Sequence, residues 1–456
     1  MAEPTRVSFV SLGCAKNLVD SEKMLGQLAE AGCAITADED DAEVTVINTC
    51  GFLEASRTEA DEVIRETVAR KANGTLRRVV VAGCLVQRDK EAILERITGI
   101  DALVGVNNRD DIVRAVLGQN GKTTHRTTDL YLADYHPFAQ LDTARLRLTP
   151  RHYAYLRISE GCDQKCTFCT IPSIRGRMHC KPPSVVLAEA RELVSDGAVE
   201  VSLIGQDTTS YGIGEDQFDG GLAALLRQLD KVDGLRWIRL MYVYPSVLSD
   251  DMIDAVAACA RVCKYIDIPL QHINDKVLKA MHRRVNRAGT ETLLRKLRER
   301  IPGVAIRTTL IAGFPGETDE QFQELVAFIR DFRFDALGVF PYSKEPETPA
   351  GRMTGQIPVD VKQQRVDALM RAQQEVAFEL ADGRIGSSFE VLIDERVKPG
   401  VVAARHQGQA PGVDGVTCVE SCQAPPGEFV NVRCLDRDAY DLVARPTRRP
   451  LPVLRA

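Results

Sequence analysis

Three cysteines within eight residues constrain this chain more than any other feature of its sequence. Cys162, Cys166 and Cys169 have the spacing Cys-x3-Cys-x2-Cys, and they come directly after the alternating, β-forming segment 153–159. This pattern predicts a strand that ends in a loop, and such a loop can fold three thiolates around one metal centre. Iron–sulfur clusters are held by cysteine thiolates, usually four, so three ligands would leave one iron free.

The alternative for these cysteines is a zinc site or a purely structural role. Tetrahedral zinc needs a fourth ligand, for which the nearest candidates are His179 and Cys180. The spacing alone favours a cluster over zinc but leaves both open.

Length, composition and charge indicate a multidomain globular protein. A chain of 456 residues predicts two to four domains, and its 44% apolar and 27% charged residues are ordinary for soluble proteins. No apolar run approaches the roughly 18–20 residues of a membrane span, and no secretory signal begins the sequence, so we expect a cytoplasmic protein. In that setting the 13 cysteines indicate metal binding or catalysis rather than disulfides, and the net charge of −6 gives no global attraction for nucleic acid.

Residues 1–118 predict an open parallel α/β domain. Apolar runs at 7–13, 44–49 and 78–83 are typical of strands, and helical patterns lie between them, the first from Asp20 to about Gly32. Each run is followed at once by a cysteine: Cys14, Cys50 and Cys84. Since ligands bind beyond the carboxyl ends of parallel strands, we expect these cysteines to converge. One such cysteine would more often be a buried hydrophobic residue, but three favour a second cluster.

The middle of the chain predicts a partial, open (β/α)6 barrel. Segment 119–150 loses the regular pattern and is predicted to be a linker. Six strands then alternate with helices, and a long helix over 363–381 leads out, which gives a domain over 151–383. The candidate strands are 153–159, 200–204, 237–243, 265–270, 305–311 and 336–340. The active site of such a barrel is expected at the carboxyl ends of its strands.

Residues 384–456 predict a small antiparallel β-barrel of about five strands. Short β-rich runs are separated by turns rich in Gly, Pro and Asp, as in oligonucleotide-binding folds. Balanced charge and few aromatic residues weaken the case for nucleic-acid binding.

These three units, in this order, resemble the methylthiotransferase family of radical S-adenosylmethionine (SAM) enzymes. That family has an N-terminal three-cysteine domain, a radical-SAM barrel and a C-terminal TRAM domain. The resemblance is carried by segments 11–22, 48–52, 161–169, 171–176, 206–209 and 267–272. They match best the branch that modifies a ribosomal protein, because the transfer-RNA branch tends to have Gln-Met-Asn-Glu after the first cysteine. Four residues depart from the usual pattern, and none is a presumed cluster ligand: Ala15, Cys180, Lys181 and Gly205.

The resemblance implies a transferase that adds a methylthio group to the β-carbon of a specific aspartate in the small-subunit ribosomal protein S-twelve. It implies that Cys162, Cys166 and Cys169 hold a [4Fe-4S] cluster that reduces SAM to methionine and a 5′-deoxyadenosyl radical. Cys14, Cys50 and Cys84 would hold an auxiliary [4Fe-4S] cluster, whose open iron carries a sulfide that a first SAM methylates. No side chain is expected to act as catalytic acid or base, since the β-carbon hydrogen is scarcely acidic. The other seven cysteines are expected to be structural.

Candidate SAM contacts lie at the strand ends and in one loop. They are Gln206, Asp207, Gln271, Arg307 and Gly313. Arginine can pair with the SAM carboxylate in a bidentate way, and Gly313 permits a close backbone approach. The alternatives are turn chemistry for 206–207 and a surface position for Arg307.

Three further side chains near these segments have two interpretations each. His272 either contacts SAM or is structural, and Arg175 and Arg177 either meet an acidic substrate or SAM or are solvated charges.

The implied partners are protein S-twelve, free or in the small subunit, a flavodoxin-like or ferredoxin-like electron donor, and a sulfur donor, with no membrane. Two other functions stay open. One is an enzyme that methylthiolates adenosine in transfer RNA, for which a basic TRAM domain would be expected. The other is a non-catalytic iron–sulfur electron carrier, which would not cleave SAM.

Overall fold

The first unit is built on a seven-stranded sheet in a computed structural model that describes residues 3–118, 122–123, 128–134 and 139–447. Its strands are β1 (Arg6–Ser11), β2 (Ala34–Ile35), β3 (Val44–Thr49), β4 (Arg78–Gly83), β5 (Ala102–Gly105), β6 (Lys122–Thr123) and β7 (Asp129–Tyr131). The order is β2-β1-β3-β4-β5-β7-β6, and only the β6–β7 pair is antiparallel. The helices are α1 (Ala15–Glu30), α2 (Glu54–Ala72), α3 (Cys84–Asp89), α4 (Ala92–Arg96) and α5 (Ile112–Leu117).

Helices cover both faces of this sheet, as the strand–helix alternation predicts. Successive residues of β4 point to opposite faces, so Val80 packs in the same core as Met24 of α1, whereas Val79 and Val81 pack with Ile64 of α2. The open parallel α/β domain is therefore confirmed. Helix α1 begins earlier than predicted, at Ala15 instead of near Asp20.

The segment predicted as a linker contributes two short strands to this sheet. Strand β7 pairs with β5, and β6 pairs with β7. Runs of two or three residues are too short to show a periodic pattern, which is why the sequence did not reveal them. Residues 139–150 contain no helix or strand, and 119–121, 124–127 and 135–138 lie outside the described residues. The three boundaries between the four predicted segments stay predictions.

The second unit is an open barrel of six parallel strands. Its strands, with the small β9–β10 ribbon, are β8 (Tyr153–Arg157), β9 (Ser159–Glu160), β10 (His179–Cys180), β11 (Glu200–Ile204), β12 (Trp237–Leu240), β13 (Val262–Asp267), β14 (Ala305–Ala312) and β15 (Ala336–Pro341). The sheet order is β15-β14-β13-β12-β11-β8, which confirms the partial (β/α)6 barrel. Strand β13 ends at Asp267 and not at residue 270, where the predicted strand 265–270 ends. The reason is that Pro269 has no N–H for the ladder of the sheet.

Among the described residues the second unit has eight α-helices, most of which pack on the outer face of its sheet. They are α6 (Ile171–Arg175), α7 (Pro183–Ser195), α8 (Gly221–Leu229), α9 (Asp250–Ala258), α10 (Asp275–Ala280), α11 (Arg287–Arg300), α12 (Asp319–Phe332) and α13 (Val359–Asp382). Three-residue and six-residue 3-10 helices cover Val106–Asp111, Pro245–Val247 and Ala350–Arg352. Along β14, Ile306 and Leu310 pack in the outer core, so Arg307 and Thr309 point to the concave side.

The third unit is a closed barrel of five strands. They are β16 (Ser388–Lys398), β17 (Val401–His406), β18 (Thr417–Glu420), β19 (Phe429–Asp438) and β20 (Asp441–Pro446), in the order β16-β17-β18-β20-β19. The predicted small barrel is confirmed, although the β18–β20 pair is parallel. Residues 448–456 lie outside the described part.

The third unit closes the amino-terminal end of the six-stranded barrel. Arg405 of β17 lies 2.8 Å from Glu200, the first residue of β11, and Tyr265 donates a hydrogen bond to Asp414 at 2.8 Å. Leu392 packs in the same core as Trp237 and Tyr265. The opposite, carboxyl-terminal end of the strands is thus the end left for chemistry. Among the described residues, no helix is both long and apolar enough to cross a membrane.

Candidate active site

The three cysteines of the first unit lie at the carboxyl ends of three neighbouring strands. Cys14 is the N-cap of α1, Cys50 follows β3, and Cys84 is the first residue of α3. Two glycines make the close approach possible. A Cβ added at Gly13, whose φ is +97°, would lie 3.5 Å from the Cys50 sulfur, and one at Gly51 would lie 2.8 Å from the Cys84 carbonyl oxygen.

The charge around this first triplet favours a thiolate at one position. Although burial opposes it, Lys16, Arg175 and the backbone N–H groups of Lys16 and Asn17 lower the pKa of Cys14. The Cys14 residue is nevertheless exposed to solvent. Burial raises the pKa of Cys84 to about 12 against the effect of Arg175, and the Cys14 and Cys50 thiols add to the rise. The ionisation of the Cys84 thiol therefore depends on the charge of the other two thiols.

The second triplet lies in the loop after β9. Cys169 donates its N–H to the Cys166 carbonyl at 3.2 Å, and the Cys166 sulfur lies 3.6 Å from an Arg283 nitrogen and 4.0 Å from the Tyr244 hydroxyl. Burial raises the pKa values of Cys162 and Cys169 to about 12. Two buried thiols that resist ionisation on their own become thiolates on binding a metal, which couples cluster binding to proton release.

The two residues proposed as a fourth zinc ligand are engaged elsewhere. Cys180 accepts a hydrogen bond from Gly212 N–H at 3.5 Å, and His179 Nδ1 lies 3.4 Å from Asp216. Among the described residues, no group of three or more His, Cys, Asp or Glu side chains is arranged for a single metal ion. A four-iron cluster is larger than one ion, so its ligands stand further apart. All 13 cysteines are free thiols, and soft thiolate sets without a fourth ligand fit iron–sulfur clusters.

Arg175 joins the two units at the first triplet. Its guanidinium donates to the Cys84 sulfur at 3.2 and 3.3 Å, and to Asp20 and Glu160 at 2.9 Å each. Asn17 accepts a further hydrogen bond at 3.3 Å. The interpretation of Arg175 as a solvated charge is therefore wrong. Arg177, in contrast, is 65% exposed at its side chain and pairs with Glu215.

Arg175 belongs to a buried ionic network that crosses the boundary between the units. Its other members are Asp20, Arg109, Asp142, Arg157, Glu160, Lys181 and Glu189. Arg157 of β8 lies 2.7 Å from Asp20 of α1 and 2.6 Å from Asp142 of the 139–150 segment. These contacts place the first triplet against the carboxyl end of the barrel.

The predicted SAM contacts occupy two different regions. Gln206 donates to Glu160 at 2.6 Å, and the buried Asp207 accepts from Gln164, within the cysteine loop, at 2.8 Å. The side-chain oxygens of Gln206 and Gln271 are buried and have no hydrogen-bond partner among the described residues. These two orphaned acceptors lie at strand ends on the side of the triplets, where a polar ligand would satisfy them.

Arg307 and Gly313 lie apart from that region. Arg307 is 2.8 Å from Asp267 and 3.4 Å from Asp414 of the third unit, so it is neither on the surface nor free to pair with a SAM carboxylate. Gly313 donates to Glu317 at 2.9 Å, and a Cβ there would lie 2.4 Å from Lys362. Their roles as SAM contacts stay predictions, and these contacts argue against them.

His272, next to Gln271, is buried. It accepts a hydrogen bond from Asn274 N–H at 3.0 Å, and burial lowers its pKa to about 3, so it is neutral. Its Nε2 atom is buried without a hydrogen-bond partner among the described residues, so both interpretations of His272 stay open.

Comparison with known proteins gives the same three units. The profile of the Radical SAM superfamily matches residues 156–329, that of Uncharacterized protein family UPF0004 matches 6–105, and that of the TRAM domain matches 385–446. The "Ribosomal protein uS12 methylthiotransferase RimO" of Anaeromyxobacter sp. (strain K) is 43% identical over 459 residues, covering 98% of this chain and 96% of its own. The RimO of Heliobacterium modesticaldum is 41% identical with the same coverage. This chain belongs to the RimO family.

A RimO-family chain is a radical SAM methylthiotransferase, so this protein is an enzyme that uses SAM and a [4Fe-4S] cluster. Solved structures support the fold alone. The radical SAM methyltransferase TsrM from Kitasatospora setae aligns with a TM-score of 0.57 at 17% identity, over 90% of this chain and 82% of its own. The cobalamin-dependent SAM radical enzyme OxsB aligns with a TM-score of 0.53 at 13% identity, over 82% and 56%.

Sequence reasoning missed three residues of this RimO-family site. Lys16 and Tyr242 form a contact between the units, with the lysine nitrogen 3.4 Å from the centre of the ring. Asn17 donates to the carbonyls of Leu12 and Thr49, at 2.6 and 3.1 Å, and so ties together the ends of β1 and β3. None belongs to a residue type that marks a site by itself. The available signal was the position of Lys16 and Asn17 directly after Cys14.

Proposed function

We propose that this enzyme transfers a methylthio group to the β-carbon of one aspartate in ribosomal protein uS12. The observation that carries the proposal is the pair of cysteine triplets facing one region, with Arg175 of the barrel hydrogen-bonded to Cys84 of the first unit. Relatives that are 41–43% identical over nearly the whole chain are named as uS12 methylthiotransferases, which supports the substrate. A substrate on the ribosome is in keeping with a cytoplasmic location.

We further propose two [4Fe-4S] clusters, one on each triplet: Cys162, Cys166 and Cys169, and Cys14, Cys50 and Cys84. When bound, the first supplies the electron that cleaves SAM, and the second supplies the sulfur that is methylated and transferred. A flavodoxin-like or ferredoxin-like protein would deliver the electron, and a separate sulfur donor would replace the sulfur. The chemistry is that of the cofactors, and the protein provides binding, orientation and exclusion of water.

The chain's own residues have defined tasks in this scheme. Asp207 holds Gln164 and thereby the loop of the second triplet, and Arg175 orients Cys84. Gln206 and Gln271 would accept hydrogen bonds from SAM, since their oxygens are buried without partners among the described residues. The third unit closes the other end of the barrel and so excludes water from its interior.

The test is mass spectrometry of uS12 and of digested transfer RNA from cells that lack this gene, with and without its restoration. We expect one aspartate of uS12 to gain SCH3 in place of hydrogen when the wild type is restored. The Cys162→Ala and Cys50→Ala variants should each fail, because each removes a ligand of one cluster. Unchanged uS12 beside altered adenosines would refute the proposed substrate and move the enzyme to transfer RNA. Clusters without formation of 5′-deoxyadenosine would indicate an electron carrier.

A further inference from the structure

Lys16 is a buried cation that has no carboxylate partner among the described residues, although the Cys14 thiol lies near enough to raise its pKa. Its side chain lies in the first turn of α1 and is only 8% exposed. In the described ranges, no aspartate or glutamate lies within ion-pair distance of its nitrogen, and its close neighbour is the ring of Tyr242, 3.4 Å from nitrogen to centroid. Burying an unpaired charge is costly, so such groups are usually paired, as Lys181 is with Asp142 and Glu189.

This lysine lies between the two cysteine triplets. It is two residues from Cys14 on one side. On the other side, Tyr242 follows the end of β12, and Tyr244 in the same segment has its hydroxyl 4.0 Å from the Cys166 sulfur. One short stretch of backbone therefore connects the ammonium group with both triplets.

Tyr242 is held in place despite an unfavourable backbone. Its φ of +60° lies in the left-handed region, which tyrosine rarely adopts. Its N–H donates to Asp267 at 3.1 Å, and its carbonyl accepts from the Thr208 N–H at 3.1 Å. Backbone strain that the surroundings maintain is found most often at binding and active sites. The ring under the ammonium group fixes the position of that group through a cation–π contact.

We propose that Lys16 is the binding site for the side-chain carboxylate of the substrate aspartate. This inference rests on the proposed function. The β-carbon that receives the methylthio group must come near groups held by both triplets, and its carboxyl carbon is one bond away. Of the two cations next to the first triplet, Arg175 is paired with the carboxylates of Asp20 and Glu160, whereas Lys16 has no carboxylate partner among the described residues. The amino terminus of α1, which has no acidic residue in its first turn, adds a favourable dipole.

Lys16 would also explain discrimination between aspartate and asparagine. The amide of asparagine has no charge to offset the buried ammonium group, so an asparagine substrate would leave it unpaired. A carboxylate is also present in SAM itself, and the experiment has to separate these two sources.

The test is a double-mutant cycle on the full-length enzyme reconstituted with iron and sulfide. Binding of two labelled peptides of the modified uS12 segment, one with the target aspartate and one with asparagine, is measured by fluorescence anisotropy in the presence of SAM. We expect the wild type to prefer the aspartate peptide by about tenfold or more, as for close charge pairs at interfaces. Lys16→Met should remove this preference by weakening only the aspartate peptide, and Lys16→Arg should keep part of it.

Several results would overturn the inference. Equal affinity of the wild type for both peptides would do so without any enzyme variant, and so would equal weakening of both peptides by Lys16→Met. Weaker SAM binding by Lys16→Met with unchanged peptide preference would assign the lysine to SAM instead. Iron content and the electron paramagnetic resonance spectra of both clusters verify that each variant is loaded. A wild type that binds neither peptide and leaves uS12 unmodified would refute the proposed function, whereas binding and modification without discrimination would refute only the role of Lys16.

Discussion

Replacing Arg175 by alanine is expected to weaken both the contact between the units and the environment of the Cys84 ligand. The substitution removes the hydrogen bonds to the Cys84 sulfur and the ion pairs with Asp20, which is buried, and with Glu160, whose side chain is 21% exposed. Removing one partner of a buried ion pair typically costs 3–5 kcal/mol because the other charge is left uncompensated. Arg157 still contacts both carboxylates, so we expect a loss of about 3 kcal/mol in the free energy of unfolding.

The measurement is urea unfolding of the apo-protein under reducing conditions, with Arg177→Ala as the matched control. Arg177 lies two residues away, and its side chain is 65% exposed, so its loss should change the unfolding free energy by less than about 0.5 kcal/mol. Arg175→Lys keeps the positive charge, but a lysine ammonium group lacks the planar guanidinium that reaches several partners at once. We therefore expect a loss of unfolding free energy between those of the other two variants.

A second readout separates the role at the ligand from the role in stability. Hydrogen bonds to cysteine sulfurs are among the factors that set the reduction potentials of iron–sulfur clusters. In Arg175→Ala we expect a more negative potential for the proposed cluster at Cys84 and an unchanged potential for the proposed cluster at Cys162. Equal unfolding free energies for Arg175→Ala and Arg177→Ala, or equal shifts at both clusters, would refute this reasoning.

Three other perturbations test the structure. Arg157, Arg175 and Arg109 outweigh burial and lower the pKa of Asp20 to about 2. A carboxyl group whose pKa is lowered by folding stabilises the protein at pH values above its unfolded pKa of about 4. The difference in unfolding free energy between wild type and Asp20→Asn should therefore be complete at pH 7 and should shrink as the pH falls towards 2. Denaturant titrations at several pH values measure this difference. Glu345→Gln weakens the buried ion pair with Arg88 across the units and should lower the free energy of unfolding by roughly 3 kcal/mol. We also expect faster proteolysis between the units, and wild-type resistance to proteolysis would contradict this interface. Gly161→Ala places a Cβ 2.0 Å from a carbonyl oxygen at a φ of +78°, so iron should be lost from the Cys162 triplet alone, and full iron content would contradict the geometry of that loop.

Local sequence patterns predicted most of the architecture. Alternation of apolar runs with helical patterns indicated both parallel sheets, and the turn-rich end of the chain indicated the small barrel, because these features depend on periodicity over neighbouring residues. Strands of two or three residues, such as β6 and β7, carry too little periodicity to be found in this way. The six candidate cluster cysteines were also found locally, from their spacing and from their positions directly after strands.

The sequence by itself determined the order of the three units and the candidate cluster cysteines, since both follow from local pattern and side-chain chemistry. Only the tertiary structure decided which charges meet. Arg175 and Asp20 are 155 positions apart along the chain, and Arg307 and Asp414 are 107 apart, so no local pattern shows that the first arginine reaches Cys84 while the second is paired with carboxylates at the far end of the barrel. The same holds for Lys16, which is buried against Tyr242 and has no carboxylate partner in the described part of the chain. Pairing and burial depend on packing between distant segments, and that packing determines whether a charged side chain is structural or available to a substrate.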